Sequence, residues 1–193
     1  MDKSGRAYGF VMKALLTEEA LDAAGRTIST DKSYDEETIA NLVAVDALDQ
    51  HHVLNAKNMA VVYTAIAAFE NSVRELISKT LLEEVGESWW TDCVSKKIRE
   101  AAKLRMDEEE KVRWHVQRGE DPIQFTMLPN LLNIIRQNPV QFEPFIHNSE
   151  WAASIFDTIE RSRNVIMHSG KLSDRDVARL GSLIRDWTNQ VSV

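Results

Sequence analysis

The first proline in this sequence is Pro122, and the 121 residues before it contain none. Proline removes a backbone N–H and clashes with the preceding turn, so a long proline-free run leaves helices free to extend. That run is rich in Ala, Leu, Glu, Lys and Arg, which lose little on entering a helix. The other three prolines, Pro129, Pro139 and Pro144, lie within sixteen residues. The pattern predicts long helices, one irregular segment, then more helix.

Apolar positions at 3.6-residue spacing place the elements. Phe10, Val11, Ala14, Leu15 and Leu21 predict a helix over 6–24 that stops at Gly25. After a polar turn over 26–34, Ser33 and Glu36 have capping-box spacing and open a second helix that runs to about Val85, before Gly86. About fifty residues is long for one globular helix, so a break is expected near Gln50–Asn58. A third helix is expected over 91–118, opened by Thr91 or Asp92 and closed by Gly119, with Trp89 and Trp90 packing on the bundle. Residues 120–148 read as irregular around a short helix that has Pro129 at its first position and ends at Asn138-Pro139. Phe142, Pro144 and Phe145 are expected to pack a loop.

Asn148 or Ser149 then caps a helix with Trp151, Ile155, Ile159 and Val165 or Ile166 turned inward, ending at Ser169-Gly170. Ser173 caps the last helix, with Asp174 and Asp176 in its first turn and Val177, Leu180, Leu183, Ile184 and Trp187 on its apolar face. No segment reads as a strand. The expected class is all-α: a helical bundle over 36–193 with an N-terminal helical extension over 1–35.

Apolar residues are 44% of the chain and charged residues 27%, which excludes whole-chain disorder. One cysteine, Cys93, excludes an internal disulfide and a Cys-based zinc site. Lys13 interrupts the only early apolar run and Glu18 and Glu19 follow it, so no signal peptide is expected. The longest nearly unbroken apolar stretch, Met59–Phe69, is too short to span a bilayer. The expectation is a soluble cytoplasmic protein with no membrane partner.

The net charge of −7 argues against a protein that coats nucleic acid. It is unevenly distributed. Residues 1–56 carry five basic and ten acidic side chains, residues 96–118 eight and five, and residues 161–186 six and three. The two basic segments are either solvated helix faces or the walls of a positive groove.

Motifs for zinc proteases, P-loops, dinucleotide binding and the nucleophile elbow are absent. His51 and His52 are neighbours that point about 100° apart on a helix and cannot converge on one metal. The acidic run Asp107–Glu110 reads as a solvated face, and Asp174 with Asp176 as helix capping. No cofactor or metal is expected. The informative segment is Glu160-Arg161-Ser162-Arg163-Asn164-Val165-Ile166-Met167-His168-Ser169-Gly170. Asn164 and His168 are four apart and stack on one helix face, with Arg163 beside Asn164. A helix C-terminus favours a protonated imidazole, and arginine offers a rigid fork for phosphate oxygens. Together they are the minimum for cleaving RNA without metal: the 2′-hydroxyl attacks the adjacent phosphate, His moves protons and Arg holds the developing charge. The alternative is a histidine that only satisfies the last carbonyls of its helix.

Arg163-Asn164 followed by His168 resembles the R-x4-H signature of the HEPN superfamily, in which a polar residue often follows the arginine. The stretch Phe69-Glu70 through Arg74 to Ile77 is similar to the first core helix of that family. Pro122 and Phe125 leading into Leu131, Leu132, Ile134 and Ile135, and the closing helix from Leu172 through Asp186-Trp187, are similar too. The resemblance covers roughly residues 40–190 and is to the branch shared by bacterial defence proteins and a nuclear mRNA-surveillance endonuclease. It implies a HEPN-like bundle and a metal-independent endoribonuclease of toxin or antiviral-defence type. It also implies a homodimer whose two motif helices form one composite cleft from Arg163, Asn164 and His168. Glu70 would lie across from them, or else serve only as partner to Arg74. RNA is the implied substrate, and a cognate antitoxin or defence-system protein the implied further partner. The alternative within the family is a non-catalytic scaffold beside an antitoxin or nucleotidyltransferase.

Overall fold

The computed structural model describes residues 35–112 and 114–192, together with Thr17. The helix expected over 6–24, its Gly25 stop, the turn over 26–34 and the Ser33 cap lie outside the described residues. Two compact units divide the chain, residues 1–50 and 51–193. Among the described residues every regular element is helical, as the composition and periodicity predict.

In the first unit, α1 (Glu36–Leu42) opens at Asp35, whose carboxylate accepts the Thr38 N–H at 2.7 Å. Hydrogen bonding from the Thr38 side chain, and then from its backbone N–H, holds the Asp35 carboxyl below the usual carboxylate range. The helix ends at Val43, and Ala44 adopts a left-handed conformation (φ 52°) before a 3-10 turn over Val45–Ala47. The break in the long second helix therefore falls over Val43–Asp49, upstream of the expected Gln50–Asn58. Gln50–Asn58 is continuous helix, and α2 runs from Gln50 to Val85. No glycine or proline marks the true break, so local sequence carried little sign of it.

The second unit builds its core on α2. Ile66, Phe69, Val73, Ile77 and Leu81, spaced three and four apart, form one buried stripe. Gly86, at φ 92°, ends the helix as expected. The helix expected over 91–118 is two helices, α3 (Trp89–Cys93) and α4 (Lys96–Glu110), and Thr91 and Asp92 lie inside α3. Side chains from elsewhere hold the break open. Asn138 Nδ2 donates to the Cys93 carbonyl at 3.0 Å, Ser95 N–H donates to Gln137 Oε1 at 3.3 Å, and Arg99 Nε donates to the Val94 carbonyl at 3.0 Å. Nor does α4 reach Gly119. Asp107, Glu108, Glu109 and Glu110 crowd its last turn, where the dipole is already negative.

Pro129 sits in the first turn of α5 (Leu128–Gln137), which buries Leu131, Ile134 and Ile135. Pro139 starts the short α6 (Pro139–Phe142), where a loop was expected, and Phe142 is buried there. Asn148 caps α7 (Ser149–Met167), accepting the N–H groups of Glu150 and Trp151 at 2.9 and 3.1 Å. Its buried face is Ala152, Ile155, Phe156, Ile159 and Ser162, while Val165 is 40% exposed rather than inward. Ser173 caps α8 (Asp174–Val191). Phe69, Phe156 and Trp187 meet edge to face with centroids 5.2–5.7 Å apart, joining α2, α7 and α8. Trp151 stacks on Trp187 at 6.0 Å. Full burial of side chains this large stabilises by roughly 1.5–3 kcal/mol each. The cluster fixes α7 against α2, and so fixes what the adjoining polar positions can touch.

Candidate functional site

On α2, Phe69 and Val73 turn into the core, which leaves Glu70 and Arg74 at its edge, one helical turn apart. Arg74 Nη2 donates to Glu70 Oε1 at 3.0 Å and to the Thr126 carbonyl at 3.1 Å, and its Nη1 donates to Asn71 Oδ1 at 3.0 Å. The other carboxylate oxygen, Glu70 Oε2, faces α7 and lies 3.8 Å from Arg163 Nε. That distance is an ionic contact, too long for a hydrogen bond. Glu70 is thus both partner to Arg74 and neighbour to Arg163. Its side chain is only 13% exposed, and that of Arg163 29%.

Both arginines keep a buried Nε–H with no hydrogen-bond partner. A buried N–H left unpaired costs about 1–3 kcal/mol, and for Arg163 the ionic contact with Glu70 offsets part of that cost. One carboxylate between two guanidiniums leaves a net positive charge in a partly desolvated place.

Arg163 and Asn164 open with Glu70 onto a cleft of about 560 Å³. Three further cations line it: Arg74 from α2, Arg105 from α4 and Arg118 from the segment after α4. Arg105 Nη1 donates to the Phe125 carbonyl at 2.7 Å. Arg118 pairs with Glu109 at 2.6 Å and lies over the Phe125 ring at 5.5 Å. Sequence reasoning missed Arg105 and Arg118 as individuals. Their signal was the basic balance of 96–118, which did not say which of its cations would face inward.

His168 stands elsewhere. It is the C-cap of α7 rather than part of its last turn, it is exposed, and it does not line the cleft. The end of α7 is a Schellman motif: Gly170 N–H donates to the Val165 carbonyl at 2.8 Å and Ser169 N–H to the Ile166 carbonyl at 2.9 Å. The left-handed residue is Ser169 (φ 61°), where a glycine is usual. Gly170 is required for space instead, since a Cβ there would stand 2.7 Å from both the oxygen and Cγ1 of Val165. Of the four candidate residues, the fold gathers Glu70, Arg163 and Asn164 at one cleft and sets His168 on an exposed turn at the end of the same helix.

No group of three or more His, Cys, Asp or Glu side chains placed to hold a metal occurs among the described residues. No helix among them is long and apolar enough to cross a membrane. Comparisons with protein-family models, with curated proteins and with solved structures found no match to this chain.

Proposed function

We propose that this chain is an endoribonuclease of the HEPN type that cleaves RNA with its own Arg163, Asn164 and His168. The observation that carries the reading is the cationic cleft that joins Arg163 and Asn164 to Glu70 across α2 and α7. In the reaction, O2′ forms a bond to phosphorus and the P–O5′ bond breaks. One imidazole takes the 2′-hydroxyl proton, and a protonated imidazole supplies one to the departing O5′. Arg163 neutralises charge on the phosphoryl oxygens. Two copies of His168 require two chains. A homodimer with paired α7 helices supplies them, and an exposed His168 at the end of α7 is free to reach a cleft shared with a second copy. A toxin or antiviral-defence setting, with an antitoxin or defence partner, belongs to the same proposal.

The second reading is a non-catalytic HEPN scaffold. The position of His168 outside the lining of the cleft within one chain favours it. Gel cleavage of RNA by wild type and His168→Ala, with and without EDTA, separates the two. The ribonuclease reading expects cleavage indifferent to chelator and reduced at least about 100-fold by the substitution. Normal cleavage by His168→Ala would falsify it. Light scattering at micromolar concentration should show a dimer, and a strict monomer with intact activity would sink the composite site.

A further inference from the structure

The segment 96–118 is basic, yet its cations do not share a face. Arg99 and Lys103 line a groove rich in carboxylates, whereas Arg105 and Arg118 line the arginine cleft. Of the four arginines in that cleft, Arg105 is the one with no carboxylate within ion-pair distance among the described residues. Its hydrogen-bond partner is the Phe125 carbonyl, a neutral acceptor. Arg74 is tied to the next carbonyl, Thr126. Consecutive carbonyls thus anchor two arginines from two helices in one cleft. Beyond Arg74 lie Glu70 and then Arg163. Contacts run from Arg163 through Glu70 to Arg74, so the carboxylate lies between two guanidiniums, and Arg105 is anchored at the carbonyl next to the one that holds Arg74.

We propose that Arg105 and Arg74 form a second phosphate subsite, separate from the one at Arg163, so that the cleft holds single-stranded RNA at two phosphates. The inference rests on the RNA reading of this cleft and specifies how the strand is held. Arg105, fixed through one Nη, keeps its remaining N–H donors for an anion, and a fork held at a set angle reads phosphate oxygens better than a free lysine does. Arg74, held through both of its Nη atoms, adds positive charge beside it rather than a free fork. Glu70 between the subsites repels a phosphate placed there and so sets their separation. Gln124 and Asn71, both at the cleft wall, add neutral donors beside the second subsite.

The test uses the intact chain and a single-stranded oligonucleotide with 2′-deoxy sugars, which cannot be cleaved through O2′. Binding is followed by fluorescence anisotropy across salt concentrations. Each phosphate contact with a single strand contributes about 0.7 to the slope of log affinity against log salt. Arg105→Gln should lower affinity on the order of tenfold and reduce the slope by about 0.7. Arg105→Lys should keep the slope while losing part of the affinity. A scan with one neutral methylphosphonate at a time, on unaltered protein, should find two sensitive linkages. This arm does not depend on any variant folding. One sensitive linkage, or an unchanged slope in a folded Arg105→Gln, overturns the second subsite. If wild type cleaves RNA but shows one sensitive linkage, the subsite fails and the ribonuclease reading stands. If it does not cleave but shows two, the subsite stands and the ribonuclease reading fails.

Discussion

Two clefts of nearly equal size, about 560 and 580 Å³, share helix α4 and the turn over Pro122–Phe125. One is lined by four arginines and two glutamates. The other has five carboxylates, Glu100, Asp107, Glu109, Glu110 and Glu120, against Arg99 and Lys103. A single amphipathic helix sorts charge of opposite sign to its two sides, so the net −7 of the chain describes neither. In the arginine cleft the charged groups are partly buried and interlocked, while in the acidic one most are exposed. Coulomb energies rise as water is excluded, so equal numbers of charges weigh more in the first. A basic segment is informative only once its cations are assigned to sides.

The largest expected effect breaks the comparison at its centre. Arg163→Ala should reduce RNA cleavage by about 100-fold or more, with little change in melting temperature, because the side chain is at the cleft and not in the core. Across α4, Glu120→Gln should change cleavage and oligonucleotide affinity less than about twofold, as for an exposed charge that a Debye length screens. Equal losses from both substitutions would mean that the charge division has no functional content.

A smaller effect tests how firmly the end of α7 is set beside the cleft. Gly170→Ala should destabilise by about 1–3 kcal/mol, because a methyl at 2.7 Å from a backbone oxygen forces the turn to shift. Ser169→Gly should raise stability by about 1 kcal/mol by relieving a left-handed residue. Thermal melts read both. If the turn also positions His168, the alanine variant loses cleavage beyond its loss of stability, measured well below its melting temperature.

The smallest effect lies on α8, outside both clefts, and gives a baseline. The Ser173 hydroxyl donates to the Asp176 carboxylate at 2.6 Å and holds its carboxyl below the usual range, helped by the Ser173 backbone, Arg175 and Arg179. A folded value below the unfolded one means the stabilising contribution is present above about pH 4 and is lost as the pH falls through the folded value. Ser173→Ala should therefore lower the melting temperature more at pH 7 than at pH 3. An equal drop at both would show that the carboxylate contributes nothing.

By itself the sequence determined the helical class, the last two helices with a cap at Asn148 or Ser149 and one at Ser173, and the stops at Gly86 and Gly170. Each depends on local chemistry: periodicity, a side-chain oxygen that reaches its own first turn, or a glycine that takes a left-handed φ (Gly86) or leaves room a Cβ would fill (Gly170). It also marked Arg163, Asn164, His168 and Glu70 as a set worth attention. Tertiary structure alone decided the rest. The gap between α3 and α4 is set by Gln137 and Asn138, more than forty residues away in sequence. Glu70 faces Arg163 because an aromatic cluster sets the spacing of α2 and α7. Arg105 joins them because a backbone carbonyl twenty residues on accepts its hydrogen bond. Periodicity tells which face of a helix is apolar, but which cations share a cleft depends on distances between helices, and these arise only when the core packs.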